Sequence, residues 1–340
     1  MNHADSPRHP LVSVLIPTYN YARFLPQAIE SVLAQDYPHF ELLVSDDAST
    51  DTTAGTLASY RRADPRLRIH QHPRNLGMVA HWNWCLQQAR GRYVKFLFGD
   101  DAFCSRQTLS QLVELLERNP RAAVASCARR VIDADSRTID LWNPLGSAEQ
   151  HAGHDVIGRC FRTNQNLIGE PSAVLLRRAA LTRGFAPGYR QLVDLELWLH
   201  LLEHGDLAHT PEPLVAFRRH EAQQSRVNFD SAVAQLETLQ LMAQFIDTRE
   251  KRAAASLSEF DYRLIQFRAM HYLRKAGRRH PPCLGPATEL ARQLPSRWQL
   301  ACRVRHAVQR PFENIRRSIE KRRIALELWP ESSGVRATLF

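Results

Sequence analysis

The chain lacks paired cysteines. Its six cysteines, Cys85, Cys104, Cys127, Cys160, Cys283 and Cys302, are scattered without a CxxC spacing. That argues against a zinc site or a dense disulfide framework and fits a reducing compartment. There is no run of roughly 18 or more apolar residues, so no transmembrane helix is expected. Residues 1–10 are polar and carry no apolar h-region; a flexible N-terminus is expected there rather than a secretory signal. No low-complexity tract or internal repeat is visible. With 340 residues, 44% of them apolar, the chain is long enough for one large domain or two smaller ones.

Acidic residues are in deficit. The net charge is +10, and residues 297–323 carry nine Arg and Lys against Glu313 and Glu320, so most of the excess sits there. Between Arg303 and Leu328 the apolar residues Val304, Ala307, Val308, Phe312, Ile315, Ile319 and Ile324 lie among basic ones. A basic amphipathic helix reads as a binder of anionic membrane surfaces; the competing reading is a solvated helix packed on the rest of the protein. Nucleic acid is the other partner that a basic tail suggests. Aromatic residues are not interleaved there as stacking platforms, and no groove-reading motif is present, so no nucleic-acid partner is expected.

Against this background one acidic pair stands out. The apolar run from Tyr93 to Phe98 ends in Gly99 and then Asp100-Asp101. Two adjacent like charges at a strand end gain nothing for a core. They make sense as ligands for a hard divalent cation shared with substrate phosphates, although Asp also favours solvated turns. A second pair, Asp46-Asp47, ends another strand-like run.

Strands are expected at 11–16, 40–45, 67–70, 93–98 and 122–127, and helices at 24–35, 53–62, 78–90 and 108–118, with Gly91 closing the third helix as a C-cap. This alternation predicts βαβ units, a mainly parallel sheet and helices on both faces. Ligands bind such sheets outside the carboxyl ends of the strands, where both acidic pairs and Pro17-Thr-Tyr-Asn20 fall. Beyond residue 150 the pattern is less regular. It contains a loop and strand from Gly169 to Leu176, a helix from Leu192 to His204, a short strand at 214–217 and helices after Asp230. Trp82 and Trp84 are expected in the core.

Val12-Ser-Val-Leu-Ile-Pro-Thr-Tyr-Asn20, Leu33-Ala-Gln-Asp-Tyr-Pro38, Glu41 to Asp51, Asn75-Leu-Gly77 and Gly91 to Asp101, taken in order, closely resemble the family 2 glycosyltransferases. The resemblance covers about residues 11 to 225. It implies a GT-A fold, a Rossmann-like α/β arrangement, with a catalytic domain over 11–228; residues 229–340 lie outside the resemblance and read as a helical, basic C-terminal extension. The resemblance also implies an inverting enzyme that uses Mn2+ or Mg2+ and a nucleotide-sugar donor, by family habit a UDP-sugar.

Position by position, the resemblance places Pro17, Thr18 and Tyr19 on the nucleotide pocket, with the Tyr19 ring near the base. Asp47 would accept from the base and Asp46 would support its loop. Asn75 and Gly77 would lie against the nucleotide, Gly77 permitting close backbone approach. Asp100 and Asp101 occupy the place of the family's acidic metal motif, in a shortened form with Phe98 where the first Asp commonly stands. Asp101 is the expected metal ligand, with Asp100 on ribose or a metal-bound water. Asp194 matches the family's general base. His220, in Arg218-Arg-His220, would touch phosphate or metal, with Ser225 in the same loop. Glu170 and Glu196 would lie on the acceptor side, Glu196 being the weaker base candidate because a residue two positions on faces elsewhere on a helix.

The processive members' Gln-x-x-Arg-Trp motif is not seen where expected, which points to addition of a single sugar. The expected function is transfer from a nucleotide-diphosphate-sugar to a hydroxyl of a glycan or lipid-linked acceptor in bacterial cell-surface polysaccharide synthesis. The expected location is the cytoplasm, with peripheral membrane contact as an option. The alternatives are a catalytically inactive sugar-nucleotide-binding domain and a basic nucleic-acid-binding protein.

Overall fold

The computed structural model describes residues 10–221, 233–278, 282, 284–296 and 298–307. The expected domain boundary at 228/229, Ser225 and most of the basic stretch after Arg303 lie outside the described residues, as do residues 1–9.

The first half alternates as expected: β1 (Val12–Thr18), α1 (Leu25–Leu33), β2 (Phe40–Asp46), α2 (Thr53–Tyr60), β3 (Leu67–Gln71), α3 (Met78–Gln87), β4 (Tyr93–Phe96), β5 (Ala102–Phe103), α4 (Thr108–Arg118) and β6 (Ala122–Ile132). Helix α1 buries Leu25, Ala28, Ile29 and Val32, a stripe at helical spacing. The less regular stretch resolves into β7 (Thr138–Trp142), β8 (Gln150–His151), α5 (Gly153–Thr163), β9 (Val174–Arg177), α6 (Val193–Leu202) and β10 (Asp206–Arg218). The short strand expected at 214–217 is the end of β10, which runs beside β6 with register shifts. The C-terminal helices are α7 (Val233–Phe245), α8 (Arg249–Ala254), α9 (Glu259–Gly277) and α10 (Leu284–Gln293).

One ten-stranded sheet organises the chain in the order β3-β2-β1-β4-β9-β6-β10-β5, with β7 beside β6 and β8 beside β10. The β3-β2-β1-β4 half and the long β6·β10 pair are parallel. Strand β9 joins the two parts by pairing antiparallel with both β4 and β6.

Side chains alternate between two faces of this sheet. Leu15, Val94, Phe96 and Leu176 enter one core with α3, α5, α6 and the C-terminal helices. Val14, Ile16, Tyr93, Leu97 and Leu175 enter the other with α1, α2 and α4. Residues that are apolar on both faces are what a covered parallel sheet requires. The described C-terminal helices share the core of the first face, through Leu241, Phe245, Leu264, Met270 and Leu273.

Gly91 does not cap α3, which ends at Gln87 with Gln88 as its C-cap. A Cβ at Gly91 would meet Ser13 N at 2.6 Å and Leu11 O at 2.7 Å, so Gly is needed there for close approach to β1. Trp82 and Trp84 pack against the core but are only partly buried.

Candidate active site

Adjacent strands β2, β1 and β4 end at one edge of the sheet and bring their polar clusters together. Asp47 N donates to Thr18 O at 3.0 Å, knitting the ends of β1 and β2. Asn20, at φ +59, accepts on its side-chain oxygen from Thr50 N at 2.8 Å. Pro17 and Thr18 are buried within β1, whereas Tyr19 is 44% exposed. Of the three residues assigned to the pocket, only Tyr19 thus presents its ring to solvent.

Asp46 and Asp47 hold loops. The Asp46 carboxylate accepts from Ser49 N at 3.1 Å and from Ser49 Oγ at 2.5 Å. Asp47 accepts from Leu76 N at 2.8 Å and from Gly77 N at 3.1 Å, while Asn75 Nδ2 donates to Asp47 O at 2.9 Å. A single buried carboxylate therefore fixes the Asn75–Gly77 turn over the end of β2. Gly77 has φ +82 and no crowding within the protein, so its conformation, rather than a close approach to neighbouring protein atoms, is what favours glycine.

Asp100 and Asp101 are both buried, at 4% and 1% exposure. Asp101 Oδ1 accepts from Arg218 N at 2.9 Å. Asp101 Oδ2 is buried without a well-aligned hydrogen-bond partner, although the Ser172 hydroxyl lies near enough to this carboxyl to act on it downward. Burial, and next the Asp100 charge, hold the Asp101 carboxyl well above the usual carboxylate range. His220 Nε2 lies 3.1 Å from Asp100 Oδ2 and packs on Phe24 at 5.0 Å between ring centroids. Burial, and next the Asp100 charge, push the Tyr21 hydroxyl upward as well.

A buried carboxylate oxygen without a well-aligned partner, beside a second carboxylate, fits a hard divalent cation. Among the described residues no three His, Cys, Asp or Glu side chains converge on a closed metal cage. Two carboxylates with open positions suit a cation that is completed by substrate oxygens.

Arg218 locks this corner from the end of β10. It is 1% exposed. Its Nε donates to Asp100 O at 2.7 Å and its guanidinium reaches Asp133 O, Ser136 Oγ and Gln27 Oε1. Sequence reasoning singled out the Arg218–His220 segment but put the weight on His220. The Arg218 contacts span more than a hundred residues of chain, which no local pattern could show.

The second half of the site is built on the loop from Asn166 to Ser172. Asn166 Nδ2 donates to Asp194 Oδ2 at 3.0 Å, and Trp198 Nε1 on α6 donates to Gly169 O at 2.9 Å. Glu170 pairs with the buried Arg129 at 2.9 Å. Ser172 Oγ accepts from Phe98 N at 3.0 Å, and its carbonyl accepts from the buried Lys95. One loop thus ties Asp194 to the Asp100–Asp101 corner. The Glu170 charge acts upward on both Asp101 and Asp194. Burial first, and that charge with it, push Asp194 up to about 7.

Glu196 is not brought to this site. It is 1% exposed and accepts from Arg183 at 3.0 and 2.5 Å and from Gln244 at 2.8 Å. Its position two residues after Asp194 turns it into the core, where it holds the 183–185 loop and α7. Phe98, in place of an acidic residue, packs on Trp82 with ring centroids 4.7 Å apart. Arg129, Asn166 and Lys95 were not foreseen. Lys95 does leave a signal, being a lone charge in an otherwise apolar strand; Arg129 stands beside Arg130 and is told from it only by its burial.

The sequence model of Glycosyl transferase family 2 matches residues 13–185, just over half of the chain. The chain belongs to this family. A relative from Mycobacterium tuberculosis, uncharacterized, is 33% identical over 228 residues, 64% of this chain and 69% of that protein. The Bacillus subtilis protein TuaG, named as a teichuronic acid biosynthesis glycosyltransferase, is 30% identical over 200 residues, 59% of this chain and 75% of its own. Among solved structures, residues 1–349 of S. aureus TarS in complex with UDP-GlcNAc superpose with a TM-score of 0.65 at 18% identity, covering 84% of this chain and 82% of that one. The mannosyltransferase PcManGT of Pyrobaculum calidifontis, in complex with GDP-Man and Mn2+, gives 0.57 at 18% identity, covering 95% and 88%. These likenesses establish the GT-A fold of this glycosyltransferase.

Proposed function

We propose that this family 2 glycosyltransferase transfers a single sugar, with inversion, from a nucleotide-diphosphate-sugar to an acceptor hydroxyl. The observation that carries the reading is the pairing of the Asp100–Asp101 corner with Asp194 across one loop, with Asp194 raised to about 7. A base needs a pKa close to the working pH, so that it is free to accept a proton and basic enough to hold it. Asp194 takes the proton from the acceptor hydroxyl as that oxygen attacks the anomeric carbon, and the bond from that carbon to the diphosphate breaks. Asn166 and Leu195 N fix the carboxylate's direction. Asp101, with Asp100, would hold Mn2+ or Mg2+, which supplies positive charge for the departing diphosphate. Tyr19, the exposed aromatic at the end of β1, is the stacking face for the base. Pro17 and Thr18 form the floor beneath it; Asp46, Asp47, Asn75 and Gly77 shape its wall. His220 orients Asp100, and Glu170 stands on the acceptor side.

A UDP-sugar is the favoured donor, supported by the TarS likeness. A glycan or lipid-linked acceptor in cell-surface polysaccharide assembly is favoured by the relative named for teichuronic acid biosynthesis. No helix among the described residues is long and apolar enough to cross a membrane. We place the enzyme at the cytoplasmic side, with contact to anionic lipid through Leu300 and Val304, which are 65% and 56% exposed on a helical segment beside Arg303 and Arg305. A donor-binding domain without turnover is the second reading, favoured only by Phe98.

The test is a thermal-shift screen against UDP, dTDP, GDP, CDP and their sugars, each with and without Mn2+. Stabilisation by one nucleotide only with metal identifies the base and supports the site. No shift with any of them would sink the donor-site reading. Release of nucleoside diphosphate from the stabilising sugar distinguishes the enzyme from the silent binder.

A further inference from the structure

Helix α7 belongs to the C-terminal extension, outside the matched family region. Of its thirteen residues only Glu237 is charged, and that side chain is buried at 4% exposure. A lone buried carboxylate needs partners of comparable strength. Glu237 finds three: it accepts from Arg190 N at 2.6 Å, from Gln191 N at 3.0 Å and from Leu192 N at 2.7 Å. Three consecutive backbone amides of the catalytic domain thus converge on one side chain of the extension.

These amides lead directly into α6. Leu192 is its N-cap residue, and that cap has no side-chain hydrogen bond of its own. A helix start leaves its first N–H groups unsatisfied and partly positive, so a carboxylate there is favoured and defines where the helix begins. Glu237 meets the N-cap amide of Leu192 and the two amides before it, so from a distance in sequence it holds the chain where it enters the positive end of α6. Asp194 lies in the first turn, two residues past the clamp. Its own restraints are local ones, to Leu195 N and to Asn166, and they fix the carboxylate relative to the helix start without fixing the helix start itself. Two turns further along α7, Gln244 donates to Glu196 at 2.8 Å and accepts from the Tyr189 hydroxyl at 3.3 Å. The extension therefore grips both the approach to α6 and its buried face.

We infer that Glu237 is a positioning residue for the transfer reaction: from the C-terminal extension, it sets the start of the helix that presents Asp194. The inference rests on the reading of Asp194 as the base. It gives the extension a part in turnover and assigns it no part in donor binding, because the donor-side clusters at the ends of β1, β2 and β4 make none of these contacts. Losing the clamp lets the first turn of α6 shift, and displacements near 1 Å at a reacting group are enough to lower a rate by about a hundredfold.

The experiment compares Glu237→Gln, Glu237→Asp and Asp194→Asn in the full chain with wild type. The probe is whichever of UDP-GlcNAc, UDP-glucose and GDP-mannose wild type turns over fastest with Mn2+, read as nucleoside diphosphate release. Glu237→Gln keeps size and shape but cannot satisfy three amides with charge. Its kcat is expected to fall roughly 10- to 100-fold with the donor KM within about twofold of wild type. Glu237→Asp retains the charge on a shorter arm and should recover part of the loss; it also serves where Glu237→Gln does not fold. A wild-type kcat in either folded variant overturns the inference. So does a loss that vanishes when rates are divided by the folded fraction, since that is a stability effect alone. A wild-type rate in Asp194→Asn refutes the base assignment itself, whereas an inactive Asp194→Asn beside a fully active Glu237→Gln refutes only the clamp.

Discussion

Replacing Asp194 with Asn should cost activity and add stability, and both effects follow from burial. Wild-type Asp194 rises from 3.8 to about 7 on folding, chiefly by desolvation. At 1.36 kcal/mol per pH unit, that rise sets a ceiling of about 4 kcal/mol on the penalty the ionised carboxylate imposes on the folded state. Because the folded pKa lies above the unfolded one, the penalty is absent below pH 3.8, grows between 3.8 and about 7, and is constant above. An Asn side chain avoids it but introduces a mismatch. Its oxygen keeps the Leu195 N–H, while its amide meets the Asn166 amide donor. Asn166 cannot turn over, since its own oxygen accepts from Ile168 N and Gly169 N. Two facing donors cost about 1–2 kcal/mol. The net gain above pH 7 is about 2 kcal/mol, which for a chain of this size raises Tm by several degrees. Turnover should fall by about 10²- to 10⁴-fold, the usual contribution of a positioned base. Urea denaturation of both proteins at pH 5, 7 and 8.5, alongside nucleotide release, reads both effects. A stability difference that does not change from pH 5 to 8.5 would show that the carboxylate titrates like an exposed one, and the electrostatic argument would fail. Wild-type turnover in the variant would dispose of the base assignment.

Three further outcomes are expected. Asp101→Asn should abolish the Mn2+-dependent part of donor binding measured by calorimetry, since it removes the charge of a carboxylate whose buried Oδ2 has no well-aligned hydrogen-bond partner; an unchanged dependence on Mn2+ would place the cation elsewhere. Gly91→Ala should destabilise by about 1–3 kcal/mol, the range for overpacking, because its Cβ would come within 2.7 Å of the β1 backbone; an unaltered urea midpoint contradicts this. His209 is buried between Ser126 and Asn143, and burial pushes it down to about 4. Its folded pKa is below the unfolded value of 6.5, so stability should be lost as pH falls from 6.5 towards 4, by at most about 3 kcal/mol; His209→Gln should remove this share of the loss and leave that of the buried His81, which is also pushed down to about 4.

What the sequence disclosed and what it hid divide by range. The β1–α1–β2–α2–β3–α3–β4 run was legible because each element carries its own apolar period, and the carboxyl-end clusters followed from strand direction alone. Strand β9 could not be placed by the same means. Three of its four residues are apolar enough for any buried position, and only pairing with both β4 and β6 makes them the antiparallel joint of the sheet. Strands β7 and β8 are short and mostly unburied, so no apolar alternation marks them, whereas α5 does carry a helical stripe (Val156, Ile157, Cys160, Phe161) that was passed over. Gly91 was misread because a Gly after a helix has two uses, and only the neighbouring strand shows that close approach is the one in force. Glu196 was legible as the lesser of two acids from helix geometry, but its partner Arg183 was not.

The charges of the site also bear on how the donor binds. Asp100, Asp101, Glu170 and Asp194 are acidic, and the buried cations near them are already committed. Arg218 serves Asp100 O, Asp133 O and Gln27; Arg129 serves Glu170; Lys95 serves Ser172 O. A diphosphate brought alone to this edge meets carboxylates and no uncommitted buried cation among these three. The Asp101 carboxyl, held up by burial and by Asp100, shows the same excess of like charge from the protein's side. A divalent cation relieves both at once, since it neutralises the acidic pair and offers the phosphate oxygens a ligand. Each then strengthens the binding of the other by the same factor, because coupling between two binding events is reciprocal. On this argument a cation completed by donor oxygens suits the site better than metal alone, and Mn2+ titrated by calorimetry should bind more weakly without the donor than with it.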